Sequence, residues 1–501
     1  MLLVLLAVLL LTGSASAGRR IIPTVDHIPL GDWTYDAMIS LAADGLVPGC
    51  SARVFEGDRL FDRMQMAEAL ISIMDASESK ELTSSQTALI DHLIQEFGPE
   101  LGYLDEGIID DWEHRADKTA VQDGETFLLG YVRPTPADDS ADGGNVTIPF
   151  RVSGFSSFSQ RAFGIATIAD REDKFFETVR YSTQPDKVIL RGYDSNFIWS
   201  VGREYQNWGP AYSGSLILSD NSASFWQARG IKEIDLGRLI GRLKITESLS
   251  VFEDKGQMLY LFGRRYERPL SERWFLGVSE AAKMNKAPNP LILVLPVYLY
   301  QHVLGGPGSS MDESLNALYA ADLTYRTENG IEYYGEFLID DITAPDIFGP
   351  HFERPRKIGY TLGFYLPKLF AGERLSTFRA EYIFTNPQTY EATRTEFPEL
   401  AYTHDHAIIG HPIGPNAKAL FLRGEYYLSD KWSLIGEYFH VRQNRPGTPE
   451  RPKEDIVSLM AAYDIAPDKS IALRVAPFKI TCPGEPETSG VNYELRASFS
   501  F

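Results

Sequence analysis

From about residue 145 to Phe501, apolar and polar side chains alternate in short stretches separated by turn signals. In the last of them, VNYELRASFSF, one face carries Val491, Tyr493, Leu495, Ala497, Phe499 and Phe501. The other carries Asn492, Glu494, Arg496, Ser498 and Ser500. A period of two is the period of a β-strand. IEYYGEFLI, ALFLRGEYYL and KWSLIGEYFH repeat it, and IGYTLGFYL, STFRAEYIF, DIVSLMAAYDI and SIALRVAPF add further strands. Half-apolar strands in this number fit two architectures. Stacked soluble β domains would turn the apolar face inward. A closed barrel in a lipid bilayer would turn it outward and keep the polar face in the lumen. About 355 residues at roughly 20 per strand and loop give about 16 to 18 antiparallel strands. Aromatic residues gather near strand ends, and charged residues such as Arg379 and Glu381 share one face, as a polar lumen requires.

The bilayer architecture is the prediction: a mainly β chain whose residues 145–501 form a large antiparallel transmembrane β-barrel. The closing stretch YELRASFSF also resembles the aromatic-terminated last strand that outer-membrane proteins present to their insertion machinery. At the other end, Leu2 to Leu11 form an apolar run too short to span a bilayer, followed by the small residues Ala15-Ser16-Ala17. Residues 1–17 are read as a secretory signal peptide. No later run reaches the length of a membrane helix; PLILVLPVYLY is short and broken by Pro296. A net charge of −20 repels phosphates and argues against a nucleic-acid partner. Cys50 and Cys482 lie far apart in sequence and are read as two unrelated thiols.

Between signal and barrel the period changes to that of helices. Ala37, Met38, Leu41 and Ala42 share one helix face after a start near Asp32 or Thr34, with Gly45 available for a left-handed C-terminal turn. Met66, Ala69, Leu70 and Ile73 mark a second helix over about Asp62 to Met74. Ser84 or Ser85 can cap a third, striped by Leu89, Leu93 and Phe97. The first two, with DWTYDAM, DGLVPG, the loop Phe55 to Arg59 and DRMQMAEAL, resemble a single S-layer homology domain over residues 18–80. That resemblance implies a periplasmic unit that grips peptidoglycan or a wall-linked glycan, with Trp33 and Arg63 as candidate contacts. Asp62 stands where that family usually carries threonine. QEFGPEL resembles the helix following the anchor in porins that carry such a unit, so residues 81–144 are read as a helical spacer. It ends in the Pro/Gly-rich linker RPTPADDSADGGN.

The most distinctive stretch is VGREYQNWGPAYSGSLILSDNSASFWQARG, residues 201–230. A sugar presents an apolar ring face and a rim of hydroxyls, so its recognition needs flat aromatic surfaces beside fixed hydrogen-bonding groups. Tyr205, Trp208, Tyr212 and Trp226 supply the first, and Arg203, Asp220 and Asn221 the second. The block resembles the capsule-assembly Wzi family of outer-membrane barrels through Gly202-Arg203, Trp208-Gly209-Pro210 and GSLILSDNS. YTHDHAIIGHPIGPNAKAL fits that family downstream. The resemblance implies a lectin-like outer-membrane protein that binds and organises capsular or other surface polysaccharide, with outer-membrane lipid around the barrel. The alternative is a general porin for small solutes, held to the wall by the helical unit. An enzyme is not expected. HDHAIIGH lacks a third metal ligand at a recognised spacing, no nucleophile elbow is present, and GGPGSS lacks the lysine of a phosphate loop. No metal or cofactor is assigned.

Overall fold

The computed structural model describes residues 25–501 apart from 58, 106, 109–111, 113–125, 133–134, 138–144, 148–149, 160, 170, 173–178, 181–186, 195–196, 238–240, 255, 298–299, 301–313, 341–356, 371–373, 393–395, 444–452 and 482–485. The expected signal peptide and Cys482 lie outside the described residues, as does most of the linker. Cys50 carries a free thiol.

The alternating stretches become one 18-stranded antiparallel sheet. Its first half runs through β1 (Thr126–Val132), β2 (Phe150–Ser159), β3 (Ala162–Ala169), β4 (Lys187–Asp194), β5 (Phe197–Glu204), β6 (Phe225–Asp235), β7 (Arg242–Asp254), β8 (Gln257–Pro269) and β9 (Trp274–Met284). The second half runs through β10 (Leu315–Arg326), β11 (Glu332–Asp340), β12 (Lys357–Leu366), β13 (Ser376–Thr385), β14 (Ala417–Tyr427), β15 (Trp432–Gln443), β16 (Lys453–Ala466), β17 (Lys469–Thr481) and β18 (Thr488–Ser500). Each strand pairs with its neighbour in sequence, and β18 returns to β1 through Tyr131↔Ser500 and Val132↔Phe499. The sheet therefore begins before residue 145, inside the stretch read as spacer. The alternation there is hidden, because Phe127, Leu128 and Leu129 are apolar in succession.

Orientation follows from burial. On β18, Val491, Tyr493, Leu495 and Phe499 are exposed, as is Phe501 just after it, while Ser498 and Ser500 are buried. The two serines point inward and donate to Glu56, Ser500 at 2.7 Å. The apolar face thus looks out, as a lipid-facing wall requires. Trp274 packs on Tyr325 at 4.7 Å and Trp432 on Tyr463 at 4.8 Å, both pairs at one rim. Connections at that rim are short, as at 270–273, 327–331, 428–431 and 467–468. At the opposite rim several are long, as at 205–224, 285–314 and 386–416.

Three helices enter from the short-connection rim. Asp32 caps α1 (Trp33–Ala43) by accepting from Thr34 N at 3.0 Å. Asp62 and Gln65 form a capping box on α2 (Arg63–Ser77). The aspartate in place of threonine is thus an equally good N-cap acceptor. Thr83, one residue earlier than predicted, boxes with Gln86 to start α3 (Ser84–Leu104). Gly45 takes the left-handed turn, φ 71°.

These helices are not a separate anchor followed by a spacer. They share one hydrophobic core with the barrel wall, in which Trp33, Met38, Leu70, Leu93 and Phe97 meet Phe155, Phe163, Ile165 and Ile189. Near the short-connection rim, Ala52 N donates to Pro467 O at 2.9 Å and Arg53 Nε to Asp464 at 2.9 Å. Deeper in, Asp36 on α1 accepts from Arg151, from Lys187 Nζ at 2.9 Å and from Ser153 Oγ at 3.0 Å. On α3, Glu96 accepts from Arg191 Nη2 at 2.8 Å and Tyr193 Oη at 3.0 Å, and His92 Nε2 lies 3.0 Å from Ser157 Oγ. The helical unit is a plug fastened to inward-facing charges of the wall.

Candidate functional site

The distinctive block folds into the barrel instead of standing above it. After β5 the chain turns into the lumen, and four of its amides find carboxyl groups on the wall. Ala211 N and Leu216 N donate to Glu336 on β11 at 3.0 and 2.8 Å. Tyr212 N and Ser213 N donate to Glu381 on β13 at 2.6 and 2.8 Å. A loop buried among strands must satisfy its amides somehow. Here the carboxyl oxygens of Glu336 and Glu381 supply the acceptors. Gly209 (φ 138°) and Gly214 (φ 141°) make the path passable, since a Cβ at the first would strike the Glu336 carboxylate and at the second Pro412.

Trp208 lies flush against β8, where a Cβ at Gly263 would sit 2.6 Å from its ring. Gly263→Val is therefore expected to overpack the contact and to cost about 1–3 kcal/mol, read as a lower thermal midpoint in detergent. Tyr212 lies under the guanidinium of Arg379, 4.8 Å from its ring centre, and its hydroxyl accepts from Leu60 N at 3.3 Å. Here loop and plug meet. Asn207 Nδ2 donates to His27 O at 3.2 Å, Leu30 N to Asp220 at 3.3 Å, and Arg265 on β8 bridges Asp26 at 2.8 Å and Asp322 at 2.6 Å. The cavity between them, bordered by Asp26, Arg63, Glu96, Arg191, Trp208 and Arg265, has a volume of about 80 Å³. At ~10–15 Å³ per water on this measure, it holds several waters and no sugar ring.

A second loop, 386–416, closes over the first. Tyr390 Oη donates to Leu216 O at 2.6 Å, Ser219 N to Ile409 O at 3.0 Å and Asn221 Nδ2 to Ile408 O at 2.9 Å. Within it Thr403–His404 and Ala407–Ile408 pair as a short hairpin. Its two tip residues, Asp405 (φ 50°) and His406 (φ 63°), are exposed and left-handed. His404 packs on Phe225 and Phe252, at 4.8 and 4.5 Å; burial pulls its imidazole down to about 4, so it is neutral at pH 7. Ser213 Oγ lies 3.2 Å from His411 Nε2, both fully buried. His411 Nδ1 accepts from Ile413 N at 3.2 Å, which leaves the proton on Nε2. The ring then donates to the serine and does not act as its base.

The seven candidate sugar contacts do not form one surface. Trp208 and Tyr212 share one buried cluster, Tyr205 lies against Gly31 of the helical unit, and all three are buried. Asp220 and Asn221 fasten the loop. Arg203 and Trp226 are register partners on the outer face of β5 and β6; Arg203 Nε donates to Ser224 Oγ at 2.8 Å, and Trp226 is 51% exposed among the wall aromatics. Trp33, expected to touch a wall polymer, is 0% exposed and packs 4.6 Å from Phe163. Arg63 donates to Glu96 and Glu100, each at 2.7 Å, and lies over Phe97. The alternation had put Glu336 and Glu381 on their strands, but nothing in it marked them as the loop's acceptors.

A family model for capsule assembly protein Wzi matches residues 190–477, more than half of the chain. No curated protein matches the sequence. Among solved structures, Escherichia coli Wzi, described as a carbohydrate-binding β-barrel involved in group 1 capsule assembly, superposes with a TM-score of 0.54 at 13% identity. The match covers 94% of this chain and 99% of that one. Pseudomonas aeruginosa OccK10 gives 0.42 at 12% identity, over 76% of this chain and 98% of that one. OccK3 from the same organism gives 0.44 at 12%, over 75% and 94%. Residues 126–501 make up about three-quarters of the chain, so the likeness to E. coli Wzi extends into the helical unit and that unit belongs to the shared fold. With its loop-filled, 18-stranded outer-membrane-type barrel, the chain belongs to the capsule assembly protein Wzi family.

Proposed function

We propose that the protein binds a capsular or other surface polysaccharide at the rim of long connections, above a lumen closed to solutes. The observation that carries this reading is the pinning of loop 205–224 by Glu336 and Glu381. It holds the upper loops rigid in advance, which lowers the ordering cost of gripping a flexible glycan. The E. coli relative's carbohydrate binding supports the same ligand class. Tyr205, Trp208 and Tyr212 serve in this reading as the scaffold beneath the contact surface. The strained, exposed tip Asp405-His406 is the described part of that surface most plainly built for contact. A porin needs a path of solute size, and among the described residues the cavity of about 80 Å³ between loop and plug is too small to serve as one. Short connections mark the periplasmic rim of such barrels, which supports a periplasmic position for the helical unit. A tether to the cell wall draws no support from Trp33 and Arg63, whose side chains are engaged within the chain.

The test is retention of polysaccharide purified from the producing cells on immobilised full-length protein, beside conductance in planar lipid. Wild type is expected to retain glycan without steady conductance. The double variant Asp405→Ala/His406→Ala should weaken retention tenfold or more, roughly the loss of one charged hydrogen bond, at an unchanged thermal midpoint. Steady conductance with no retention would favour the porin.

A further inference from the structure

On β8 the odd-numbered side chains enter the lumen, as Arg265 shows by meeting Asp26 and Asp322. The even-numbered ones face outward, where Met258 is exposed. Phe262 and Arg264 belong to the outward set and are nevertheless buried. Residues 290–297 and Tyr300 of the β9–β10 connection cover them, folded back over the outside of the wall. Ile292, Leu293, Val297 and Tyr300 pack there on Phe262, Ala282, Met284, Leu315 and Ala317.

Arg264 stands in register with Glu247 on β7 and Glu280 on β9. Its Nε donates to Glu247 at 2.6 Å and its Nη1 to Glu280 at 2.9 Å. The overlying segment supplies the rest: Ile292 O and Leu295 O accept from the guanidinium at 2.9 and 3.0 Å, and Val297 N donates to Glu280 at 2.9 Å. A charge facing hydrocarbon is costly. This lobe covers the trio of Arg264, Glu247 and Glu280 and turns Leu291, Val294 and Pro296 outward in their place.

Beside the lobe lies a crevice of about 260 Å³, lined by Lys232, Ile245, Glu247, Arg264, Tyr266, Leu293 and Val294. Arg264 is occupied by its two carboxylates. Lys232, on the same outward face as its register partner Ile245, has no ion-pair partner among the described residues. It lies three residues from Asp235, where β6 reaches the short-connection rim. That is within about 10 Å of the rim along the strand, at the headgroup level of the nearer leaflet. We propose that this crevice binds an anionic phospholipid of that leaflet. Its phosphate meets Lys232, and an acyl chain lies along Ile245, Leu293 and Val294.

Native mass spectrometry of the full-length protein in detergent, with added phosphatidylglycerol, phosphatidylcholine or lipopolysaccharide, tests this. One phosphatidylglycerol per protein should be retained, and phosphatidylcholine should not. Lys232→Ala and Lys232→Glu should weaken retention tenfold or more, Lys232→Arg should keep it, and Val294→Trp should block the crevice. Heat-modifiable migration on gels checks that each variant is folded. Equal retention by wild type and Lys232→Ala, equal retention of phosphatidylcholine, or Lys232-dependent retention of lipopolysaccharide in place of phosphatidylglycerol would each overturn the proposal.

Discussion

Asp36→Ala is expected to free the helical plug from the wall while leaving the barrel intact. Asp36 is fully buried and accepts from Arg151, Lys187 and Ser153. Removing it strands two cations in the lumen, and breaking a buried pair in this way costs about 3–5 kcal/mol. Trypsin cleavage within residues 63–104 should then rise by about two to four powers of ten, since cleavage follows the population of the undocked form. Removing the cations as well, with Arg151→Met and Lys187→Met beside Asp36→Leu, should recover most of the protection. Unchanged cleavage in Asp36→Ala would show that the apolar core alone holds the plug.

The same latch sets an acid limit. Burial works to raise the carboxyls of Asp36 and Glu96, but Arg151 with Lys187, and Arg191 with Arg63, more than offset it and hold each at about 2. Unfolded carboxyls titrate near ~4. Their stabilisation is therefore fully present above that value and is lost as the pH falls toward 2. Burial holds His92 down at about 4, so between its unfolded value of ~6.5 and 4 the undocked chain takes up a proton that the docked one refuses. Asp26 acts in the opposite sense. Burial pushes it up to about 7 despite Arg265, and its contribution declines as the pH rises toward that value. Protection of the plug from trypsin-like cleavage by an acid-tolerant protease should therefore fall steeply below pH 4.

The wall was legible in the sequence because alternation is local: each strand states its own faces. β18 does so completely, down to the inward serines that bind Glu56. β1 does not, because three successive apolar residues erase the period. The helices were legible for the same local reason, with caps at Asp32, Asp62 and Thr83. Their destination was not. A lone helical stripe states that something apolar covers it, and the alternatives of a free anchor and a lumenal plug differ only in contacts such as Asp36 to Lys187, 151 residues apart. Trp208 stands out in the sequence, yet aromatic residues beside glycine and proline fit a sugar platform and a packed loop equally well. What decides is Gly263 across the lumen, which no local pattern connects to it.

Glu336→Ala combined with Glu381→Ala should produce the second large effect, at the loop that fills the lumen. The amides of Ala211, Tyr212, Ser213 and Leu216 would lose their acceptors while still buried. Each orphaned group costs about 1–3 kcal/mol, enough together to expel the loop. Loop 386–416 leans on it through Tyr390, Ile408 and Ile409, so polysaccharide retention should fall by more than tenfold. Glu→Gln at both positions keeps an acceptor oxygen and should retain part of the binding. Planar-lipid recordings should nevertheless stay quiet, because the helical unit still fills the other half of the lumen. Steady conductance is expected only when Asp36→Ala is added and both closures are gone. If the Glu336/Glu381 pair alone opened a steady pore, the helices would be a loose cap, and the charges that fasten Asp36 and Glu96 to the wall would have some purpose other than sealing it.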